Sequence, residues 1–173
     1  MPINQIGAGG KQKAFTEAYK PLHDRLIRFV QSMVFNKEEV KDIVGETVLK
    51  TYENYETLRQ KEALLSFMFT IASRLVYKAQ ENKKQHSFLS DSEHTDQVAD
   101  TAASPHLKME MKELYQAIHQ LPEKQREALV MFEISGLSLN EIQQIQGDTL
   151  SAVKSRIARA RESLKRILEE EIV

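Results

Sequence analysis

Apolar residues recur every three or four positions along most of the chain. This is the period of an amphipathic α-helix, and no stretch shows the sustained alternation of a β-strand. The first series predicts one helix with an inward face of Phe15, Tyr19, Leu22, Leu26 and Phe29. Asn36, followed three residues later by Glu39, predicts a capping box at the start of a second helix. The inward face of that helix is predicted to be Val40, Ile43 and Thr47, with Val48 beside them.

A polar turn over residues 53–61 precedes a third predicted helix, from about residue 62 to residue 84. The side chains expected to point inward on this helix are Leu64, Phe67, Ile71 and Leu75. These three helices are expected to form one compact unit. Residues 86–104 then show no apolar period and are rich in Ser, Asp, Thr and Ala, so we predict an acidic flexible linker.

A second helical set is predicted to start at Ser104 and Pro105, an N-cap followed by a first-turn proline. The residues of this helix expected to be buried are Leu107, Met111, Leu114, Ile118 and Leu121. The next helix should run from Pro122 to near Gly136, because glycine is favoured just after a helix end.

Ser138 and Glu141 form a second capping box, which opens a short helix that ends before Gly147. The last helix, from Thr149, has an apolar face of Leu150, Val153, Ile157, Ala160, Leu164 and Ile167. A short helix, a glycine turn and a second helix predict a helix-turn-helix, whose second helix enters the major groove of DNA. The predicted fold is all-α, with two small helical domains at residues 1–85 and 105–173 joined by the linker 86–104.

Positive charge is concentrated on the last helix, although the formal net charge of the chain is −1. At 100° per residue the cations lie away from the apolar face and are expected to be exposed. Small residues at Ser151 and Ser155 would allow close approach to bases. The side chains expected to reach phosphates or guanine edges are Lys154, Arg156, Arg159 and Arg161. A merely solvated basic surface remains the alternative interpretation.

Several classes of protein are disfavoured by the sequence. Cysteine is absent, which excludes disulfides and thiolate sites and makes the reducing cytoplasm the expected compartment. The opening MPINQIGAGG lacks the pattern of a secretory signal, and the longest uncharged apolar run is too short to cross a bilayer. Asp42 and Glu46 have no companion histidine or metal set, and the five histidines are scattered. We therefore expect no enzyme, no metal, no cofactor and no membrane insertion.

Two stretches resemble the sigma factors of bacterial RNA polymerase, especially the extracytoplasmic-function (ECF) group. LPEKQREALVMFEISGLSLNEIQQIQGDTLSAVKSRIARARESL is similar to that group's L-P-x-x-x-R, G-x-S-x-x-E-I and V-K-S-R-x-x-R-A-R patterns. EEVKDIVGETVLKTY resembles its E-D-L-V-Q-E-T-F-L motif. SFMFTIASRLVYKAQENKK resembles W-L-x-x-I-A-R-N-x-x-x-D more loosely. The resemblance covers nearly the whole chain.

The resemblance implies a transcription initiation factor that binds core RNA polymerase and promoter DNA, with an anti-sigma factor as a further partner. It places Asp42, Glu46 and Leu49 on the polymerase clamp. It implies that the loop from Tyr55 to Lys61 receives a flipped base and that the following helix faces the downstream (minus-ten) element. The residues so assigned to the downstream element are Leu58, Arg59, Arg74, Lys78, Lys83 and Lys84. The helix-turn-helix would read the upstream (minus-thirty-five) element, and the acidic linker would thread the polymerase.

The sequence also departs from the family pattern. Gly45 replaces a glutamine, Phe67 a tryptophan, and Arg74 and Lys78 stand where asparagine and aspartate are usual. Apolar residues are usual at positions 146 and 148, so Gln146 and Asp148 predict a looser helix-turn-helix core or a reshaped turn. Two rivals stay open. One is a helix-turn-helix regulator that binds duplex DNA alone, and the other is a helical interaction protein that does not read DNA.

Overall fold

The first predicted helix is two helices, divided at a proline. The computed structural model describes residues 8–60, 63–86 and 105–170. Helix α1 spans Ala8–Tyr19, a 3₁₀ turn spans Lys20–Leu22, and α2 spans His23–Met33. Pro21 has no backbone N–H and cannot continue the α-helical ladder, so the turn tightens there. The prediction of one continuous helix is therefore wrong, although Phe15, Leu26 and Phe29 are buried as expected.

Helix α3 (Lys37–Glu53) begins at the predicted cap, but without the full capping box. The Asn36 side chain accepts hydrogen bonds from the backbone N–H groups of Glu38 and Glu39. The Glu39 carboxylate does not complete the box and instead pairs with Lys83 on α4 (Leu64–His86). The ion pair connects two consecutive helices that pack side by side, through residues that are 44 positions apart in the sequence.

The buried face of α4 is rotated from the predicted one. Leu64 is buried as expected, whereas Phe67, Ile71 and Leu75 are only half-buried. The fully buried positions of this helix are Met68, Phe69, Ala72 and Val76. Helix α4 packs against both N-terminal and C-terminal helices. More of its surface is therefore buried than packing within a single three-helix unit would bury.

The C-terminal helices are α5 (Pro105–His119), α6 (Glu123–Leu129), α7 (Leu139–Gln146) and α8 (Leu150–Glu170). The helix predicted from Pro122 to near Gly136 is confirmed, but its last part, Val130–Ile134, is a π-helical turn that was not predicted. Helix α5 departs from prediction in its first turns, because Leu107 and Leu114 are exposed while Ile118 and Leu121 are buried as expected. The predicted linker 86–104 lies outside the described residues except for His86, which ends α4.

Helices α1–α4, here the N-terminal unit, contact helices α5–α8, the C-terminal unit, through a polar and apolar interface. One hydrophobic cluster contains buried side chains of both units. Arg25 of α2 donates to the backbone oxygen of Ser135, and Ser66 of α4 donates to the Glu141 carboxylate at 3.1 Å. Two separate domains were predicted, and no sequence pattern had indicated that they would be in contact.

His119 lies in this interface and makes its stability depend on pH. Its ring stacks on Phe35, with Nε2 3.2 Å from the Gln31 backbone oxygen and Nδ1 3.2 Å from Arg126 Nη1. Burial, followed by the nearby Arg126 charge, lowers the pKa of His119 from 6.5 to about 4. The neutral ring fits these partners, with Nε2–H donating to Gln31 and Nδ1 accepting from Arg126.

Acidification from pH 6.5 towards pH 4 is therefore expected to destabilise the fold. In that window the unfolded chain binds a proton on His119 that the folded chain does not, so the free energy of unfolding falls as pH falls. After a discount for partial exposure we expect about 1 kcal/mol from this residue. Urea unfolding at several pH values should show a smaller pH dependence for His119→Gln. Identical slopes in the two proteins would refute this assignment.

Candidate nucleic-acid interface

The helix-turn-helix forms as predicted from α7, Gly147 and α8. At the start of α7, Ser138 N–H donates to Glu141 Oε2 at 2.7 Å, and Glu141 N–H donates to Ser138 Oγ at 3.3 Å. Burial would raise the pKa of Glu141, but the hydrogen bonds from Ser138 and Ser66 lower it below its usual value. The capping box therefore holds an ionised carboxylate at the start of the helix, where the helix dipole favours it.

Gly147 ends α7 in the left-handed region, with φ 64° and ψ 37°. Gly147→Ala is expected to cost about 1 kcal/mol of stability, because an L side chain disfavours this backbone conformation. No atom lies within 4 Å of the added Cβ, so the cost is conformational and not steric. Thermal unfolding measures it, with Gly45→Ala as the control in the middle of a helix. An equal or greater stability of Gly147→Ala would contradict the turn geometry.

Helix α8 presents most of its predicted outward face. Val153, Ile157 and Ala160 are buried, which fixes the rotation of the helix. Ser151, Lys154 and Arg159 are exposed on the other side, whereas Ser155 is half-buried. Two of the predicted cations are thus displayed for contact with a polyanion.

The other two predicted cations are held in intramolecular pairs, which corrects the expectation that all four point freely outward. Arg156 donates to the side chains of Gln146 and Asp148, and only 23% of its side chain is exposed. The hydrogen bond from Arg156 lowers the pKa of Asp148. Arg161 pairs with Glu133 of the π-helical turn. Gln146 and Asp148, the two polar residues that flank Gly147, therefore both bind the Arg156 guanidinium.

The α3 residues assigned to polymerase contact share an exposed face. Asp42 and Glu46 stand one turn apart and are exposed, and Leu49 is 56% exposed. Glu46 also pairs with Lys50 of the same helix at 2.9 Å. An exposed leucine beside carboxylates suits a protein partner, because an apolar contact framed by charge is typical of interfaces.

The residues assigned to the downstream element are divided between surface and core. Arg59, Arg74, Lys78 and Lys84 are exposed, and Arg74 and Lys78 lie one turn apart on α4. Lys83 is exposed but engaged with Glu39, and Leu58 is half-buried against the hydrophobic cluster. Tyr55–Thr57 form a 3₁₀ turn, and Lys61 lies outside the described residues. Arg74 and Lys78 therefore share an exposed face of α4, which also carries the exposed Glu81, whereas Leu58 packs against the hydrophobic cluster.

Sequence reasoning missed Glu127, a buried carboxylate between the units. Its side chain is 0% exposed and accepts hydrogen bonds from Ser73, Tyr77 and Gln146. The amphipathic pattern of α6 places Glu127 on the buried side of the helix. A glutamate in such a position is a signal of a specific role, because charged residues are almost never fully buried unless they are paired. Over the described ranges, no cluster of His, Cys, Asp or Glu is suited to a metal ion. No helix in those ranges is both long and apolar enough to span a membrane.

Comparisons with known proteins match both units. The family model "Sigma-70 region 2" matches residues 18–85, and "Sigma-70, region 4" matches residues 111–164. The "ECF RNA polymerase sigma-E factor" of Haemophilus influenzae is 26% identical over 167 residues, covering 90% of this chain and 88% of the relative. The "ECF RNA polymerase sigma factor SigW" of Bacillus subtilis is 27% identical over 173 residues, covering 93% and 92%.

Solved structures show the same fold. A Bartonella quintana sigma factor RpoE, crystallised with the anti-sigma factor NepR, superimposes with a TM-score of 0.77 at 21% identity. The match covers 91% of this chain and 98% of that one. CnrH, in complex with the cytosolic domain of CnrY, gives a TM-score of 0.70 at 20% identity, covering 97% and 95%. The similarity spans both units, so their arrangement of helices is shared with these proteins.

Proposed function

We infer that this chain, which belongs to the sigma-70 family and to its extracytoplasmic-function group, is an alternative sigma factor that binds core RNA polymerase and directs it to promoters. The observation that carries this conclusion is the presence of region 2 and region 4 in one chain. A regulator that acts on duplex DNA alone needs a helix-turn-helix but has no use for region 2.

The two units are assigned different roles. We assign residues 1–85 to polymerase docking and the downstream element, 86–104 to the linker, and 105–173 to the upstream element. The exposed face of Asp42, Glu46 and Leu49 is assigned to polymerase contact. The α4 cations Arg74 and Lys78 neutralise backbone phosphates of opened DNA, a sequence-independent contribution to binding.

The first turns of α8 are assigned to the major groove. Ser151 and Ser155 allow close approach, and Lys154 and Arg159 reach phosphate or guanine acceptors. We also assign Lys83 and Lys84, near the end of α4, and Arg59, in the loop before that helix, to the downstream element. Of these three, Lys83 is paired with Glu39 of α3. Sequence preference then depends on which of these side chains reach base edges.

Selective binding and capture of opened DNA make up the whole mechanism, so the protein makes and breaks no covalent bond. Its relatives are transcription initiation factors and not catalysts. Its place of action is the cytoplasm, where core polymerase and promoter DNA are found. An anti-sigma factor is the further partner, as in the solved complex of the similar sigma factor RpoE with NepR.

Gel filtration with core RNA polymerase separates this function from its two rivals. The sigma factor co-elutes with core polymerase, and the free protein binds promoter duplex weakly at physiological salt because its net charge is −1. Tight promoter binding without polymerase would instead indicate a stand-alone regulator. Co-elution without any effect on DNA binding by the polymerase would indicate an interaction protein only.

A further inference from the structure

Glu127 links the two units through a fully buried carboxylate. From α4 of the N-terminal unit, Ser73 Oγ donates to Oε1, and Tyr77 OH donates to Oε2 at 2.9 Å. Burial and the adjacent carboxylate raise the pKa of the Tyr77 hydroxyl, which therefore stays protonated as a donor. Lys124 Nζ lies 3.8 Å from Oε2 and 4.3 Å from the centre of the Tyr77 ring.

The same carboxylate connects to the recognition helix through Gln146. Gln146 Nε2 donates to Glu127 Oε2 at 2.7 Å and to the Lys124 backbone oxygen at 3.1 Å. With its N–H groups so engaged, the amide turns Oε1 towards Arg156, whose Nη1 donates to it at 2.8 Å. The other end of the guanidinium is bound by Asp148. A chain of hydrogen bonds thus runs from α4 to the basic face of α8.

We propose that Glu127 is a positioning residue that couples contact between the two units to the availability of Arg156 for DNA. While α4 covers Glu127, Gln146 and Asp148 hold the Arg156 guanidinium against the protein. When the units separate, the carboxylate is solvated, Gln146 loses its fixed orientation, and Arg156 is released to a phosphate. The proposal deepens the assigned function and rests on it for the biological role of the released arginine.

The energetics favour release on separation. A buried carboxylate needs all of its donors, because each unmet hydrogen bond in a buried site is costly. The pair of Arg156 with Asp148 lies at the surface, where Asp148 is 38% exposed, and such pairs contribute little alone. Gln146 therefore decides how firmly Arg156 is held, and Glu127 orients Gln146. Gln146 and Asp148, the two residues that bind the Arg156 guanidinium, both depart from the family pattern.

The first test measures the distance between the units in the free full-length protein. The chain has no cysteine, so Glu53→Cys on α3 and Glu162→Cys on α8 give one unique pair of dye sites at exposed positions. Single-molecule energy transfer should show a short distance in this background and a larger long-distance population with Tyr77→Phe, which removes one donor to Glu127. Tyr19→Phe, which removes a hydroxyl bonded locally to His23, is the matched control and should change nothing.

The second test is a double-mutant cycle on DNA binding by the free protein. Tyr77→Phe should strengthen binding to a short nonspecific duplex by at least about threefold and steepen the salt dependence by about one phosphate contact. In an Arg156→Ala background the same change should give no gain. Gln146→Leu should strengthen binding without lengthening the distance between dyes, because it releases Arg156 while leaving the α4 hydroxyls on Glu127.

Each result decides the proposal. An unchanged distance in both Tyr77→Phe and Ser73→Ala, with both variants folded, would overturn the link between α4 and Glu127. A gain in DNA binding that persists without Arg156 would overturn its coupling to the recognition helix. Neither test uses polymerase. A protein that passes both yet fails to direct transcription would refute the proposed function and leave the coupling intact.

Discussion

Asp42→Lys is expected to abolish assembly with core RNA polymerase while leaving the fold intact. Asp42 is exposed on α3, one turn from Glu46, so its replacement disturbs no buried contact. A reversed charge at a docking face brings like charges together, at a cost of several kcal/mol. We expect at least about 3 kcal/mol, which is more than about a hundredfold in the dissociation constant. Fluorescence anisotropy of labelled protein titrated with core polymerase measures this loss.

A matched control separates docking from net charge. Glu17→Lys makes the same charge change at an exposed position on α1 and should bind core polymerase like the unsubstituted protein. Circular dichroism and thermal unfolding should be unchanged in both variants, since both sites are solvated. If Asp42→Lys still assembles with core polymerase at the original affinity, the α3 face is not the docking surface.

Arg159→Ala is expected to weaken upstream-element recognition by about 1–3 kcal/mol, provided that the guanidinium contacts a base. Arg159 is exposed on α8, on the side opposite the buried Val153, Ile157 and Ala160. The loss should fall mainly on the specific site, because a base contact is made only there. Loss of a phosphate contact would instead weaken binding to all sequences equally. The measurement is holoenzyme binding to a promoter with an intact upstream element and to the same promoter with that element scrambled.

Arg166→Ala is the matched control on the same helix. Arg166 is also exposed but lies about two turns farther along α8, away from the first turns expected in the groove. Its loss should leave the ratio between intact and scrambled elements unchanged. Equal ratios for Arg159→Ala and the unsubstituted protein would remove Arg159 from the set of base contacts.

Local signals predicted the helix-turn-helix well, because its determinants lie within a few residues of one another. Ser138 with Glu141 forms its capping box, and Gly147 takes the left-handed conformation. The apolar stripe of α8 is buried at Val153, Ile157 and Ala160. Caps and periodicity are properties of short segments, so they can be predicted without knowing how the rest of the chain packs.

Prediction was poorer where the decisive contact is distant in sequence. The rotated face of α4 and the exposed start of α5 both depend on how the two units pack, which periodicity within one helix does not encode. Pro21 was a local signal that was overlooked, and it explains the division of the first helix. The pairing of Glu39 with Lys83 likewise joins residues on different helices.

In the candidate site too, features set by local periodicity were predicted and contacts between side chains of different segments were not. The rotation of α8 predicted that Lys154 and Arg159 would be exposed, as they are. It did not predict that Arg156 would be bound by Gln146 and Asp148, because side-chain reach across a turn is not a periodic property. Glu127 was missed for a related reason: its partners on α4 lie about fifty residues away in the chain.

Transcription start mapping with purified core RNA polymerase tests the central claim most directly. Core polymerase is incubated with genomic DNA fragments in the presence or absence of the protein, and the 5′ ends of the transcripts are sequenced. A sigma factor with regions 2 and 4 should produce discrete new 5′ ends preceded by two shared sequence elements, and Asp42→Lys should eliminate them. The same scattered ends with and without the protein would contradict its assignment as a promoter-directing subunit.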